Sequence, residues 1–168
     1  LSAQVDFFFE RMIRCCEVVE RAHAELLPSP FLTSVIDDCM EAGIDVTAGG
    51  AHYNLSGIQA IQCANVADSL AALKTLVYDE RIVDRAELYE ALVSNFEHAE
   101  LLRLRLLNKA PKYGNDVEWV DAIAFDWAKA FADRLSRYTN VRGGLYQMGL
   151  YTVSAHVPMG QNVGATPD

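Results

Sequence analysis

The sequence predicts a mainly α-helical chain with one or two short β-strands, and three observations carry that reading. Apolar residues recur at three- and four-residue steps along most of the chain, the spacing of one helix face. Proline and glycine gather at a few points that cut this pattern into segments: Pro28-Ser29-Pro30, Gly49-Gly50, Pro111 to Gly114 and Gly143-Gly144. Beyond Gly149 the residues become β-branched and alternate loosely, as strands do.

Taken in order, the first helix fills Val5 to Leu27, with Phe8, Met12, Cys15, Cys16, Val19 and Ala22 as its periodic face. Pro28-Ser29-Pro30 ends it and starts the next, with Ser29 as N-cap and Pro30 at the first helical position, where its missing N–H does no harm. That second helix is short, Phe31 to about Ala42, and Gly43 fits its C-terminal cap. From Ile44 to Gln62 the period is lost. Gly49-Gly50 marks a turn, and Tyr53-Asn54-Leu55 and Ile58 to Cys63 read as extended or loop segments. Asn65 caps the next helix, with Leu70, Leu73 and Val77 on its apolar face. Asp84 and Glu87 form a capping-box-like start before Leu88, Leu92 and Phe96, and further helical turns cover His98 to Leu107. After the loop Asn108 to Gly114, Asn115 and Glu118 pair as another helix start. Val120, Ile123, Ala124, Trp127, Phe131 and Leu135 line the face that follows. A strand is predicted from Leu150 to Val157, ending at Pro158 and Gly160. Helices thus occupy about 5–140, and strand and loop about 145–168. One strand needs partners for its backbone groups, and few are on offer, so the missing strands are expected elsewhere in a longer polypeptide. Starting at Leu1 and stopping just after Ala165-Thr166-Pro167, the chain also reads as an internal piece.

Composition narrows the partners. The 168 residues are 51% hydrophobic and 22% charged, with a net charge of −9 and a pI near 4.8. A surface this acidic repels phosphate backbones and anionic lipid heads, so nucleic acid and membrane surfaces are disfavoured. No apolar run approaches the ~20 residues that span a bilayer. Cys15, Cys16, Cys39 and Cys63 show neither CxxC nor His/Cys ligand spacing, and read as small buried thiols of a cytoplasmic protein, with no metal. Among the histidines, His23 and His98 sit with charged neighbours on helices, and His52 lies in a glycine-bounded loop. His156 stands at the end of the predicted strand, where sites are often built. No G-x-S-x-G elbow, P-loop or G-x-G-x-x-G occurs. The acidic stretches Asp37-Asp38 and Glu118 to Asp121 read as solvated helix faces.

Several blocks nevertheless resemble those of the glycyl radical enzymes, the pyruvate formate-lyase-like and glycerol dehydratase-like family. They are Pro30-Phe31-Leu32 with Ile36-Asp37-Asp38-Cys39, Gly49-Gly50-Ala51-His52-Tyr53-Asn54, Ala67-Asp68-Ser69-Leu70-Ala71-Ala72, and Leu107 through Asp116. The series closes with Gly149-Leu150-Tyr151-Thr152-Val153-Ser154-Ala155-His156-Val157-Pro158-Met159-Gly160 and Gly164-Ala165-Thr166-Pro167-Asp168. Each is weak singly, but their order and spacing are specific, and they cover nearly the whole chain from Pro30 onward. The resemblance implies a segment of an α/β barrel, ten strands in two half-sheets wrapped by helices, where a cysteine thiyl and a glycyl radical meet on opposing loops. It implies a lyase, a dehydratase or a formate acetyltransferase, abstracting a hydrogen atom from a small organic substrate. A separate S-adenosylmethionine iron–sulfur activating enzyme installs the radical.

The residues that do this chemistry are not recognisable here. The family's thiyl cysteine follows a glycine and stands two before a glutamate base. Cys15-Cys16-Glu17 lacks the glycine and sits in a periodic helix. Val141-Arg142-Gly143-Gly144-Leu145-Tyr146 has the wrong order for the radical-glycine loop. No catalytic residue is therefore assigned, and the isolated chain is expected to be inactive. The resemblance places Ala155, His156 and Met159 on a wall of the substrate pocket. Alanine and methionine, instead of the arginine and phenylalanine expected for sulfonate cleavers, favour a smaller or less charged substrate. Expected partners are the rest of the parent polypeptide, the activating enzyme, the substrate, and a second copy in a homo-oligomer. The rival reading is a free-standing helical interaction module without catalysis.

Overall fold

The computed structural model describes residues 1–151. They fall into two compact units: Leu1–Gln59 with Phe131–Gly149, and Ala60–Ala130 with the chain from Leu150.

The first unit opens with α1 (Ser2–Leu26). Its buried face holds Phe9 and Ile13, at 5% and 3% exposure, with Met12 and Cys16 packed beside them. The predicted face is thus turned by one position, since Phe8, Cys15 and Val19 are exposed. Phe7-Phe8-Phe9 offers two helical registers of nearly equal hydrophobicity. Contact with Leu135 and Tyr146 selects between them. Phe9 also meets Phe131 edge-on at 5.1 Å and stacks near Tyr138.

The predicted second helix is broken in two, α2 (Pro30–Thr33) and α3 (Cys39–Ala42). Pro30 takes the first position and Gly43 closes α3 in the left-handed region, as the sequence indicates. Ser29 does not cap with its side chain. Its backbone N–H instead donates to the Asp45 carboxylate. That carboxylate also accepts from Thr33 Oγ1 and from the Thr47 hydroxyl and amide, at 2.6–2.9 Å. These bonds, those from Thr47 foremost, hold its acid well below the usual carboxylate range. Tying Ser29, Thr33 and Thr47 to one side chain folds the segment back on itself, so a continuous helix cannot form.

Two strands follow, β1 (Ser56–Ala60) and β2 (Tyr146–Leu150), hydrogen-bonded in parallel. Parallel neighbours require a crossover. Here it consists of α4 (Cys63–Ala72), α5 (Arg85–Val93), α6 (Glu100–Lys109) and α7 (Glu118–Leu135). Of the strand expected over Leu150 to Val157, the described residues hold only Leu150, which ends β2, and Tyr151. Positions past Tyr151 lie outside the described residues. Tyr146-Gln147-Met148-Gly149-Leu150 has no β-branched residue, so propensity alone misses it. Pairing with β1 is what makes it a strand.

The second unit is built on α4, α5, α6 and most of α7. Its core gathers Leu76, Val77, Val83, Leu88, Ala91, Phe96 and Leu102. α4 begins at Cys63 behind Gln62, whose φ is +64°, and Asn65 lies inside the helix instead of capping it. Past Ala72 the helix widens into a π-helical segment, Leu73–Asp79, in which adjacent Leu76 and Val77 are both buried. Asp84 caps α5 as predicted, accepting from Ala86 N and Glu87 N. α6 starts at Glu100, two residues after His98, whose positive φ excludes it from the helix. α7 starts at Glu118, with Asn115 left in the preceding bend. Its predicted face holds: Val120, Ala124 and Leu135 are buried, and Ile123, Trp127 and Phe131 half-buried. Among the described residues no helix is long and apolar enough to cross a membrane.

Candidate functional site

In the second unit a cleft of about 620 Å³ opens beside Ala60 and Leu150, the last residues of β1 and β2. The carboxyl ends of parallel strands are where α/β sheets most often hold ligands, because the side chains there are free of sheet neighbours. Gln62, Cys63, Asn65, Tyr113, Asp121 and Tyr151 bring polar groups to its walls. Two carboxylates fix the loop bearing Tyr113. Asp68 accepts from Tyr113 N at 2.7 Å, and Asp121 from Gly114 N at 2.8 Å.

In the first unit a polar network secures the start of the sheet. Asn140, 5% exposed, donates to the Asn54 carbonyl at 2.5 Å and to Ser56 Oγ at 2.8 Å. Its carbonyl oxygen accepts from Arg142 N and Gly144 N. Glu20 accepts from Ser56 Oγ and Val141 N, and its carboxylate lies 3.6 Å from the Arg142 guanidinium. Glu20 thereby joins α1 to β1 and to the turn that leads into β2.

Tyr146 lies against this network, 2% exposed, and its hydroxyl has no partner among the described residues. Burial, with the nearby charge of Glu20, pushes its phenol up to about 12. An unfolded tyrosine ionises near ~10. The folded state therefore binds this proton more tightly. Its contribution is complete below about pH 10 and is lost as pH rises from about 10 to about 12. Urea midpoints of wild type and Tyr146→Phe should run parallel up to about pH 9.5, after which only the wild type shows this extra loss.

The sheet has two unlike faces. Ile58, Tyr146 and Met148 point into the core, and alternation sends Gly57, Gln59, Gln147 and Gly149 to the other side. There the Gln59 side chain lies flat across Gly149. A Cβ on Gly149 would overlap the Gln59 Oε1 and stand 2.8 Å from Cδ and 2.9 Å from Nε2.

The residues nominated from sequence fare differently. Ala155, His156 and Met159 lie outside the described residues. Cys16 is half-buried in the middle of α1, and burial, with Glu20 nearby, raises its thiol. That is the opposite of an activated thiol. Arg142 and Gly143-Gly144 form the turn into β2. His52 is exposed and edge-on to Tyr53, and His23 and His98 are exposed. Among the described residues no cluster of three His, Cys, Asp or Glu side chains is placed to hold a metal. Sequence reading missed the Glu20–Ser56–Asn140–Arg142 network, since its members are up to 122 positions apart (20 to 142). It also missed Gln59 on Gly149. The signal was present in Ser-Gly-Ile-Gln and Tyr-Gln-Met-Gly, two period-two runs with glycine and glutamine on one parity.

Comparison with known proteins agrees with this architecture. The profile of the pyruvate formate lyase-like family matches residues 1–160. The chain is 36% identical, over its full length, to 20% of a (2S)-3-sulfopropanediol dehydratase from Klebsiella oxytoca. The glycerol-bound B12-independent glycerol dehydratase from Clostridium butyricum superposes with a TM-score of 0.85 at 42% identity, covering 99% of this chain and 21% of that one. A Roseburia inulinivorans structure described for 1,2-propanediol dehydration gives 0.81 at 42% identity, over 95% of this chain and 21% of that one. The chain spans about a fifth of the length of the curated relatives it matches. With the match running through nearly every element described above, the chain belongs to the pyruvate formate lyase-like family of glycyl radical enzymes.

Proposed function

We propose that this chain is an internal segment, 1–168, of a glycyl radical dehydratase, contributing outer helices and two adjacent barrel strands. The observation that carries the reading is full-chain agreement with dehydratases at 42% identity and high structural similarity, confined to a fifth of their length. The thiyl cysteine, the glutamate base and the radical glycine belong, on this reading, to other stretches of the parent polypeptide. An S-adenosylmethionine iron–sulfur activating enzyme is its partner. Ala155, His156 and Met159 line the substrate pocket. The substrate is a small uncharged polyol, for which alanine and methionine suit better than the arginine and phenylalanine expected of a sulfonate site. A barrel interior favours the reaction because it keeps water and oxygen from a radical intermediate.

The test is anaerobic activation of the full-length gene product that carries this segment. A glycine-centred doublet in the electron paramagnetic resonance spectrum is expected, with conversion of glycerol or 1,2-propanediol to an aldehyde. The isolated 168-residue chain, treated in the same way, should give neither. A glycyl signal from the isolated chain would contradict the assignment. So would a full-length product that takes up no radical, which would favour the non-catalytic interaction module.

A further inference from the structure

The core of the second unit opens on one side into a cavity of about 400 Å³, bounded by α4, α5 and α6. Small-molecule sites are of this size, mostly apolar with a few placed polar groups. Along α4 and into the π-helical segment, Asn65, Asp68, Ser69, Ala72 and Leu73 line it at three- and four-residue steps, one stripe of a helix. That stripe begins polar and ends apolar. At its apolar end Ala72 and Leu73 pack in one cluster with Leu88, Phe96 and Leu106. At its polar end stands Lys112, because the next amide, Tyr113 N, donates to Asp68 at 2.7 Å. Phe96 is held in place with a φ of +60°, the left-handed region that bulky residues avoid. Strain of this kind persists where the surrounding structure enforces it, and gathers at ligand sites. Leu73 opens the π-helical segment, an arrangement also frequent at functional sites.

The charges at the polar end select the ligand. Asp68 and Lys112 are both half-buried, yet among the described residues neither makes an ion pair, with the other or elsewhere. The Lys112 ammonium spends one of its three N–H groups on the Leu106 carbonyl, at 3.3 Å. The remaining cation on the wall, Arg103, is already bound through two nitrogens to Glu100. The cavity thus carries one open charge of each sign beside an apolar end. A hydrocarbon would leave both charges unanswered, a fatty carboxylate would meet Asp68, and an alkylamine would meet Lys112. We propose that this cavity binds a free α-amino acid with an apolar side chain. Its ammonium pairs with Asp68, its carboxylate with Lys112, and its side chain lies among Leu73, Leu88, Leu106 and Phe96. This site does not depend on the dehydratase reading.

The experiment is calorimetric titration of L-leucine into the full-length, unactivated protein. The analogues are 3-methylbutylamine, which lacks the carboxylate, and 4-methylpentanoate, which lacks the ammonium. Each should bind at least about tenfold more weakly than leucine, the worth of one hydrogen bond to a charged group. L-Serine, with the same head and no apolar body, should not bind detectably. Asp68→Asn keeps an oxygen for Tyr113 N and removes the charge. It should weaken leucine about tenfold and leave 4-methylpentanoate no worse. Lys112→Gln should weaken leucine as much and leave 3-methylbutylamine no worse. This crossover separates direct contact from a general loss of structure. Should either variant not fold, the analogue series on the wild type decides alone. Absence of leucine binding overturns the inference. So does leucine binding no tighter than either analogue or than serine.

Discussion

Gly144→Ala should cost the fold about 3 kcal/mol, near the upper end of what overpacking usually costs. An added Cβ would overlap the Asn54 carbonyl oxygen and come within 3.2 Å of Asn140 Nδ2. Both neighbours are fixed. Asn54 O is backbone already accepting from Asn140, and Asn140 is held at both ends of its carboxamide. Nothing flexible can yield, so the strands would have to part where β2 begins. Gly143→Ala is the control. It meets nothing within 4 Å, but its φ of +79° makes a side chain costly, by about 1 kcal/mol. Equilibrium urea unfolding should rank the two in that order. Equal losses would mean that close approach is not what requires glycine at 144.

Leu76→Ala should be comparably damaging for a different reason. Leu76 has no exposed surface and lies where the π-helical segment meets Val83, Leu88 and Phe96. Truncating a fully buried leucine removes its transfer energy and leaves a cavity, together about 3–4 kcal/mol. Backbone bonds pin the site, since Ile82 N and Val83 N both donate to the Leu76 carbonyl. Collapse into the cavity is therefore limited, and the loss should sit in the upper half of that range. A thermal midpoint lowered by about 10 °C is the expected reading. Val77→Ala, at the next position, should cost less, because it removes fewer buried methyl groups.

Much of the helical layout was legible in the sequence because its signals are local. The Pro28-Ser29-Pro30 break, Gly43, the Asp84 cap and the α7 face each depend on residues within a few positions. What failed was decided at a distance. The register of α1 was chosen by Leu135 and Tyr146. The break between α2 and α3 was imposed by Asp45, 12 positions beyond Thr33. The cap at Asn65 is the local exception, pre-empted by Gln62 turning left-handed three positions earlier. β2 has no β-branched residue and pairs with β1. The family was legible because ordered blocks from Pro30 onward carry it. The polar junction and the Gln59–Gly149 seat were not, because each joins stretches that only folding brings together.

Consider lastly the long crossover in terms of biosynthesis. β1 is complete 86 residues before β2 begins (60 to 146). At about 5–20 residues per second, that leaves β1 without its neighbour for roughly 5–20 seconds on the ribosome. Its closure over so many residues is entropically slow. A nascent strand with bare amides and an apolar side is a target for mispairing in that interval. Gly57 and Gln59 make this one a poor template for aggregation, since neither has the β-propensity of an adhesive edge. The same two residues that shape the finished surface would keep the unfinished chain from sticking.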